Sequence, residues 1–233
     1  IDLEVKNGKV VETSSNLIPI FSDVIPPDPE ISNLINKVRA PFEKECNRVI
    51  GETETLLYRR GNFNGSWDDI ICDSIIQERD TEISLSPGFR WGTTILPGQK
   101  ITIDDIYSQT AMNYPEVYRV EMSGKMIKEI LEDVCDNIFN PDPFFQQGGD
   151  MVRVGGIKYI CSPKNEMGKR ISNLRIASTD QPLEASKKYI VGGWGSVNPD
   201  VNGPPIYSIL EKYISEKKVI NSKKSEIVEV LGM

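Results

Sequence analysis

Apolar and polar residues alternate from Ile1 through Leu3 and Val5, break at Asn7-Gly8, and resume at Val10 and Val11. A period of two around Asn-Gly predicts a β-hairpin. A hairpin alone is marginal in water, so residues 1–20 read as the end of a preceding domain, with a second domain over 21–233. Pro26-Pro27-Asp28-Pro29 is a stiff linker into a helix, with Asp28 as the cap and Pro29 at the first position. Ile31, Leu34, Ile35, Val38, Phe42, Cys46 and Val49 share one helical face. Pro41 should kink or split that helix, and Gly51 should end it.

Beyond it the period changes repeatedly. Strands are predicted over 54–58, 82–85, 117–122, 157–161, 170–176, 188–191 and 228–231. Helical spacing appears in Ile70, Ile71, Ser74 and Ile75 after a cap at Ser66 or Asp68. It recurs from Thr102 to Tyr107, and from Met126 to Ile138 after Ser123-Gly124. A terminal helix follows Pro204-Pro205 and carries Ile206, Ile209, Leu210 and Ile214. Strands and helices mix without steady βαβ alternation, which predicts an α+β fold with a mixed sheet and packed helices.

The loops between these elements hold the candidate chemistry. Ser86-Pro87-Gly88-Phe89-Arg90-Trp91-Gly92-Thr93-Thr94 sets a guanidinium and an indole between glycines that let backbone approach a ligand closely. A guanidinium so held can grip an oxyanion through two parallel hydrogen bonds. Other donors and aromatics lie on neighbouring loops: Arg59, Arg60, Asn62, Asn64, Tyr114, Asp150, Arg153 and Trp194. If the loops converge, these ten residues form a substrate-binding pocket for a small anionic group. Gly148-Gly149-Asp150 and Gly192-Gly193-Trp194-Gly195 fit neither a GxGxxG nor a P-loop and read as open turns. Asp68, Asp69, Glu132, Asp133 and Asp136 read as solvated helix carboxylates.

Composition narrows the chemistry further. The 233 residues contain no histidine, which removes His-based zinc sites, Ser-His-Asp triads and histidine acids from this chain. Cys46, Cys72, Cys135 and Cys161 form no CxxC, so no zinc site or redox motif is expected. Their spacing is compatible with buried thiols and with disulfides alike. A net charge of −7 argues against a general nucleic-acid or anionic-membrane binder, and no apolar run approaches the ~20 residues of a membrane span. No catalytic residue and no metal ligand set is expected in this chain.

The order of Ser86–Thr94, Leu96-Pro97-Gly98-Gln99 and Met122-Ser123-Gly124 before a long helix resembles the C-terminal domain of 5′-nucleotidases. That family carries a Gly-Gly-Ile-Arg loop, a Pro-Phe-Gly-Asn element and a Thr-Gly helix start in this order. Tyr58–Gly65, Phe89–Thr94 and Gln146–Gly156 resemble more closely its thiosulfohydrolase (SoxB) branch. Met112-Asn113-Tyr114-Pro115 departs from Pro-Phe-Gly-Asn, and Trp194-Gly195-Ser196-Val197-Asn198 departs from a later Gly-Gly-Asp-Gly. These departures argue against the nucleotidases' two-aromatic clamp for a nucleobase.

The resemblance implies a two-domain periplasmic hydrolase. Two manganese ions, their ligands and a His-Asp pair would lie in an N-terminal metallophosphoesterase domain, so this chain alone would be inactive. The whole enzyme would release sulfate from a cysteine-linked thiosulfonate on a sulfur carrier protein complex, SoxYZ, in thiosulfate oxidation. The metals would act as Lewis acids, and Arg90 would neutralise and orient the sulfonate. The implied partners are the carrier and the chain's own N-terminal domain, with neither nucleic acid nor membrane. Two other readings remain open: a nucleotide-hydrolysing 5′-nucleotidase, and a non-catalytic anion- or partner-binding module.

Overall fold

A computed structural model describes residues 1–111, 113–196, 202–222 and 227–232. Met112, Val197 and Asn198, from the motifs above, lie outside the described residues. The chain divides into two compact units, Ile1–Lys44 and Glu45–Met233.

The first unit begins with the expected hairpin, β1 (Asp2–Lys6) against β2 (Lys9–Ser14). Asn7 at φ 51° and Gly8 at φ 73° supply the left-handed pair that a tight two-residue turn needs. Helix α1 (Pro29–Arg39) starts where the sequence places it. Asp28 Oδ1 accepts from the amides of Glu30 and Ile31, each at 2.9 Å. No residue of this unit is buried. Its helix stops at Arg39, and a short α2 (Glu43–Cys46) follows across the boundary.

In the second unit the strand after Pro41 begins earlier than expected. β3 is Val49–Thr53, so Gly51 lies inside a strand, not at a helix end. The physical reason is pairing: β3 runs antiparallel to β5 (Lys100–Thr102) and parallel to β11 (Val219–Ile220), two short strands too weakly patterned to stand out. The predicted strand at 54–58 reduces to one bridge, Leu57 to Ile95.

The central sheet is mixed, in the order β6 (Tyr118–Ser123), β10 (Lys188–Gly193), β4 (Ile83–Ser86), β7 (Arg153–Gly155). β4 and β10 are parallel, and the outer pairings are antiparallel. A third sheet joins β8 (Ile157–Cys161) to β9 (Ile171–Ile176) and β12 (Val228–Val230). Gly192 and Gly193, expected in an open loop, belong to β10. A Cβ at Gly193 would collide with the Tyr118 hydroxyl, so the strand passes there only as glycine.

Helix α3 (Ser66–Arg79) packs on β4 and β7, and α6 (Ile206–Lys217) packs on α3. With α4 (Ile103–Gln109) they enclose a core of Trp67, Ile71, Ile75, Ile106, Leu210 and Ile214. Helix α5 (Gly124–Phe139), capped by Ser123 Oγ on the Met126 amide at 3.2 Å, covers a second core with Ile127, Leu131, Tyr159 and Tyr189. The architecture is α+β with mixed sheets and packed helices, as the periodicity predicts.

Candidate functional site

The loops 58–65, 86–94 and 146–156 do meet, and charge ties them together. Arg59 turns to the interior because α3 begins seven residues later and offers Asp68 in its first turn. Arg59 Nε lies 2.7 Å from Asp68 Oδ1, with both side chains fully buried. Its Nη1 donates to the Gln109 carbonyl at 2.7 Å and its Nη2 to the Pro87 carbonyl at 2.9 Å. Asp68 Oδ2 accepts the Gly65 amide at 2.8 Å and faces Arg153 Nε at 3.5 Å.

Arg153 is also fully buried. Its Nη2 donates to Gly61 O at 3.0 Å, Phe89 O at 3.3 Å and Asp150 Oδ2 at 3.3 Å. The other oxygen of Asp150 accepts Arg90 Nε at 2.6 Å, and Arg90 Nη2 donates to Asn62 Oδ1 at 2.6 Å. The order is therefore Arg59, Asp68, Arg153, Asp150, Arg90, with alternating sign. Three guanidiniums against two carboxylates leave one positive charge. It emerges at Arg90, whose side chain is 53% exposed while that of Asp150 is 3% exposed.

Burial pushes the Asp68 carboxyl up, and Arg59, Arg153 and the Gly65 amide oppose it. Hydrogen bonds from Arg59 and Gly65, with the Arg153 contact, satisfy both oxygens as a carboxylate, which is the form we assign. Desolvation lowers Arg153, against the pull of Asp68 and Asp150. The hydrogen bond to Asp150 raises Arg90, holding it charged.

Glycines let the loops touch. A Cβ at Gly88 would overlap the Met151 carbonyl oxygen, and Gly92, at φ 92°, lies against the Gln109 amide. These glycines serve loop-to-loop packing, where the sequence suggests approach to a ligand. Phe89 and Trp91 stack at 3.7 Å between centroids and 17° between planes. Trp194 meets Phe89 edge-on at 6.1 Å.

The ten sequence candidates thus separate by depth. Arg90, Trp91, Arg60 and Tyr114 are exposed, and Asn62 is half-buried beside Arg90. Asp150, described above, is interior, and so are Arg59, Arg153, Asn64 and Trp194. Asn64 Nδ2 donates to Asp69 Oδ1 and to the Val154 carbonyl, both at 2.9 Å, and its Oδ1 accepts the Val154 amide at 3.2 Å. Trp194 Nε1 donates to Ser86 Oγ at 2.8 Å. These four hold the loops in place. Arg60 lines a shallow cavity of about 200 Å³ with Tyr58, Asn62, Ile227 and Val228. A cavity of about 730 Å³ lies elsewhere, at the C-terminal end of α5 between Phe139, Asn165 and Arg170.

Two carboxylates read as solvated are buried, and a third, Asp136, is held by Arg170 and Asn140. Asp68 is fully buried in the charge chain, and Glu132 is 4% exposed. The Glu132 carboxylate accepts from the amides of Gly168 at 2.9 Å and Ile171 at 2.8 Å, fixing the turn before β9. Gln109, also buried, escaped the sequence reading although its carbonyl receives Arg59 and its Nε2 holds Thr93 O at 2.9 Å. One signal for Asp68 was available: a pair of adjacent arginines, Arg59-Arg60, precedes a helix whose third residue is acidic.

The profile of a family described as "5'-nucleotidase, C-terminal domain" matches residues 49–195. No curated protein matches the chain. Among solved structures, the sulfate thiohydrolase SoxB of Thermus thermophilus, in complex with glycerol, is 30% identical. It superposes at a TM-score of 0.88 over 100% of this chain and 44% of its own. A 5′-nucleotidase precursor, also from Thermus thermophilus, shares 17% identity at a TM-score of 0.76, over 97% of this chain and 48% of its own. The NAD nucleotidase of Haemophilus influenzae shares 19% at 0.64, over 87% and 41%. At those identities the two nucleotidases show likeness of fold. The chain thus spans less than half the length of each of these three structures, and by its sequence match and its architecture it belongs to the 5′-nucleotidase C-terminal domain family.

Proposed function

We propose that this chain is the substrate-binding C-terminal part of a thiosulfohydrolase, a periplasmic dimanganese enzyme that releases sulfate from a cysteine-linked thiosulfonate on a sulfur carrier protein. The observation that carries the reading is the exposed Arg90 at the end of a buried charge chain, on loops that resemble the SoxB branch. The likeness to SoxB over the whole chain supports it. A terminal sulfonate offers one negative charge and three oxygens. Arg90, already held by Asp150 and Asn62 through Nε and Nη2, would meet it with Nη1. Trp91 would form an apolar wall beside it, and Arg60 a second cation nearby.

Among the described residues no group of three or more His, Cys, Asp or Glu side chains is gathered as a metal site requires. The described residues therefore offer manganese no ligand set, and the part we propose for this chain is to bind and orient. The test uses the full-length protein with manganese, offered thiosulfonate-loaded carrier and, separately, AMP. The expected result is sulfate release without phosphate release. Phosphate from AMP with no sulfate would favour the nucleotidase reading. Absence of both activities in a folded, metal-loaded protein would favour a non-catalytic binding module.

A further inference from the structure

The sulfurs of Cys135 and Cys161 lie 3.7 Å apart, and both residues are completely buried. Cys135 sits on α5 and Cys161 at the end of β8, where its strand neighbours are Ile171 on β9 and Val230 on β12. All four cysteines are free thiols in this structure. Core cysteines commonly pack as small apolar groups. Two thiols in contact, on elements from different layers, are a different arrangement, because a covalent S–S bond of about 2.0 Å is only a short approach away.

We infer that Cys135 and Cys161 are a disulfide pair, formed by exchange with an external low-molecular-weight disulfide such as oxidised glutathione. While the chain folds, before the core closes over the pair, one protein thiolate attacks the external disulfide, forming a mixed disulfide and releasing one thiolate. The second protein thiolate then attacks the protein sulfur of that mixed disulfide and releases the other. Two protein thiols are oxidised and one disulfide is reduced to two thiols; the two protons leave with the released thiolates or to solvent. The hydrogen bond between the sulfurs raises Cys135 and lowers Cys161.

The position of the pair gives it a consequence. The two cysteines are 26 residues apart, and the segment between them contains Asp150 and Arg153, two members of the charge chain. The bond would close that segment into a loop and restrict the unfolded chain more than the folded one. Of the other two cysteines, Cys72 is buried on α3, and Cys46 is half-buried in α2.

The experiment uses the full polypeptide that carries this chain. It is refolded in parallel in a glutathione redox buffer and in a strong dithiol reductant. Each sample is denatured and alkylated, and the four cysteines are mapped by peptide mass. The expected result in the glutathione sample is a Cys135–Cys161 cross-linked peptide, two hydrogens lighter than the sum of its parts, with Cys46 and Cys72 alkylated. Thermal unfolding of that sample should lie about 5–10 °C above the reduced one. Full alkylation of Cys135 and Cys161 in both samples would overturn the inference. So would a bridge to Cys46 or Cys72, or a stable glutathione adduct in place of the bridge. The mapping is done on the unmutated protein, so it does not depend on whether Cys135→Ser or Cys161→Ser can fold.

Discussion

Arg90 Nε lies 2.6 Å from Asp150 Oδ1, across 60 residues of chain. One carboxylate thus sets the direction of the exposed cation on the 86–94 loop. Its second oxygen faces Arg153, so the support is itself anchored in the interior. If Arg90 meets the transferred sulfonate, Arg90→Ala in the full-length enzyme should lower kcat/KM by roughly 10²–10³, the loss expected for one oxyanion donor. Arg90→Lys should recover only part, since lysine keeps the charge and loses the fork. Steady-state kinetics on loaded carrier decides it, and near-normal turnover by a folded Arg90→Ala enzyme would remove Arg90 from the site.

The Arg90–Asp150 pairing makes a second, sharper expectation. Asp150→Asn should lower kcat/KM, and Arg90→Ala combined with Asp150→Asn should be little worse than Arg90→Ala alone. Residues acting as one unit are non-additive. A double-mutant cycle in which the two losses multiply would show that Asp150 acts independently.

Stability should respond in the opposite order. Arg59→Ala removes one half of a buried pair and leaves Asp68 Oδ1 without its partner, a loss of about 3–5 kcal/mol. Arg90→Ala, at an exposed side chain, should cost far less. Urea unfolding of the two variants side by side checks the ranking; equal losses would contradict the division between interior support and exposed tip.

Asp136 gives a pH test. Its carboxylate is hydrogen-bonded by Arg170 Nη1 at 2.5 Å and by Asn140 Nδ2 at 2.9 Å, and Arg170 is buried. The Arg170 bond, then that of Asn140, lowers the Asp136 carboxyl below its usual value of 3.8. A depressed folded value contributes stability that is complete above the unfolded value and lost as pH falls through the folded one. Asp136→Asn should therefore lower Tm at pH 7, by an amount that shrinks below about pH 4. A difference independent of pH down to about 2 would mean that ionisation of Asp136 contributes nothing.

Tyr114 and Trp194 test the nucleobase reading. Trp194 is buried with its Nε1 on Ser86, while Tyr114 is 46% exposed. If no base is stacked, Tyr114→Ala should leave adenosine binding unmeasurable in both variant and parent by titration calorimetry. Micromolar adenosine binding that Tyr114→Ala abolishes would restore the nucleotidase alternative.

Much of the fold was legible because its signals are local. Asn7-Gly8 carries its own turn, Asp28-Pro29 its own helix start, and the Ile127–Leu131 spacing its own buried face. What stayed hidden depends on distant partners. β3 begins at Val49 because β5 meets it there, with β11 joining at Glu52 and Thr53, and no nearby residue announces this. Gly192-Gly193 looks like a loop until Tyr118 is seen to occupy the space a side chain would need. The site was half legible in the same sense. Arg90 stood out from its own loop, whereas Arg59 and Arg153 are the same residue type and differ only in having Asp68 between them.

The four inner members of the alternating charge chain hold one another and neighbouring backbone, so the crest of the 86–94 loop carries little of the domain's stability. Side chains at Arg90 and Trp91 can then be exchanged without refolding what lies beneath. If the loop meets an acidic group as proposed, a scaffold built this way could be re-addressed to another by changing a few surface atoms, its tolerance for new specificity set by the depth at which the counter-charges are buried.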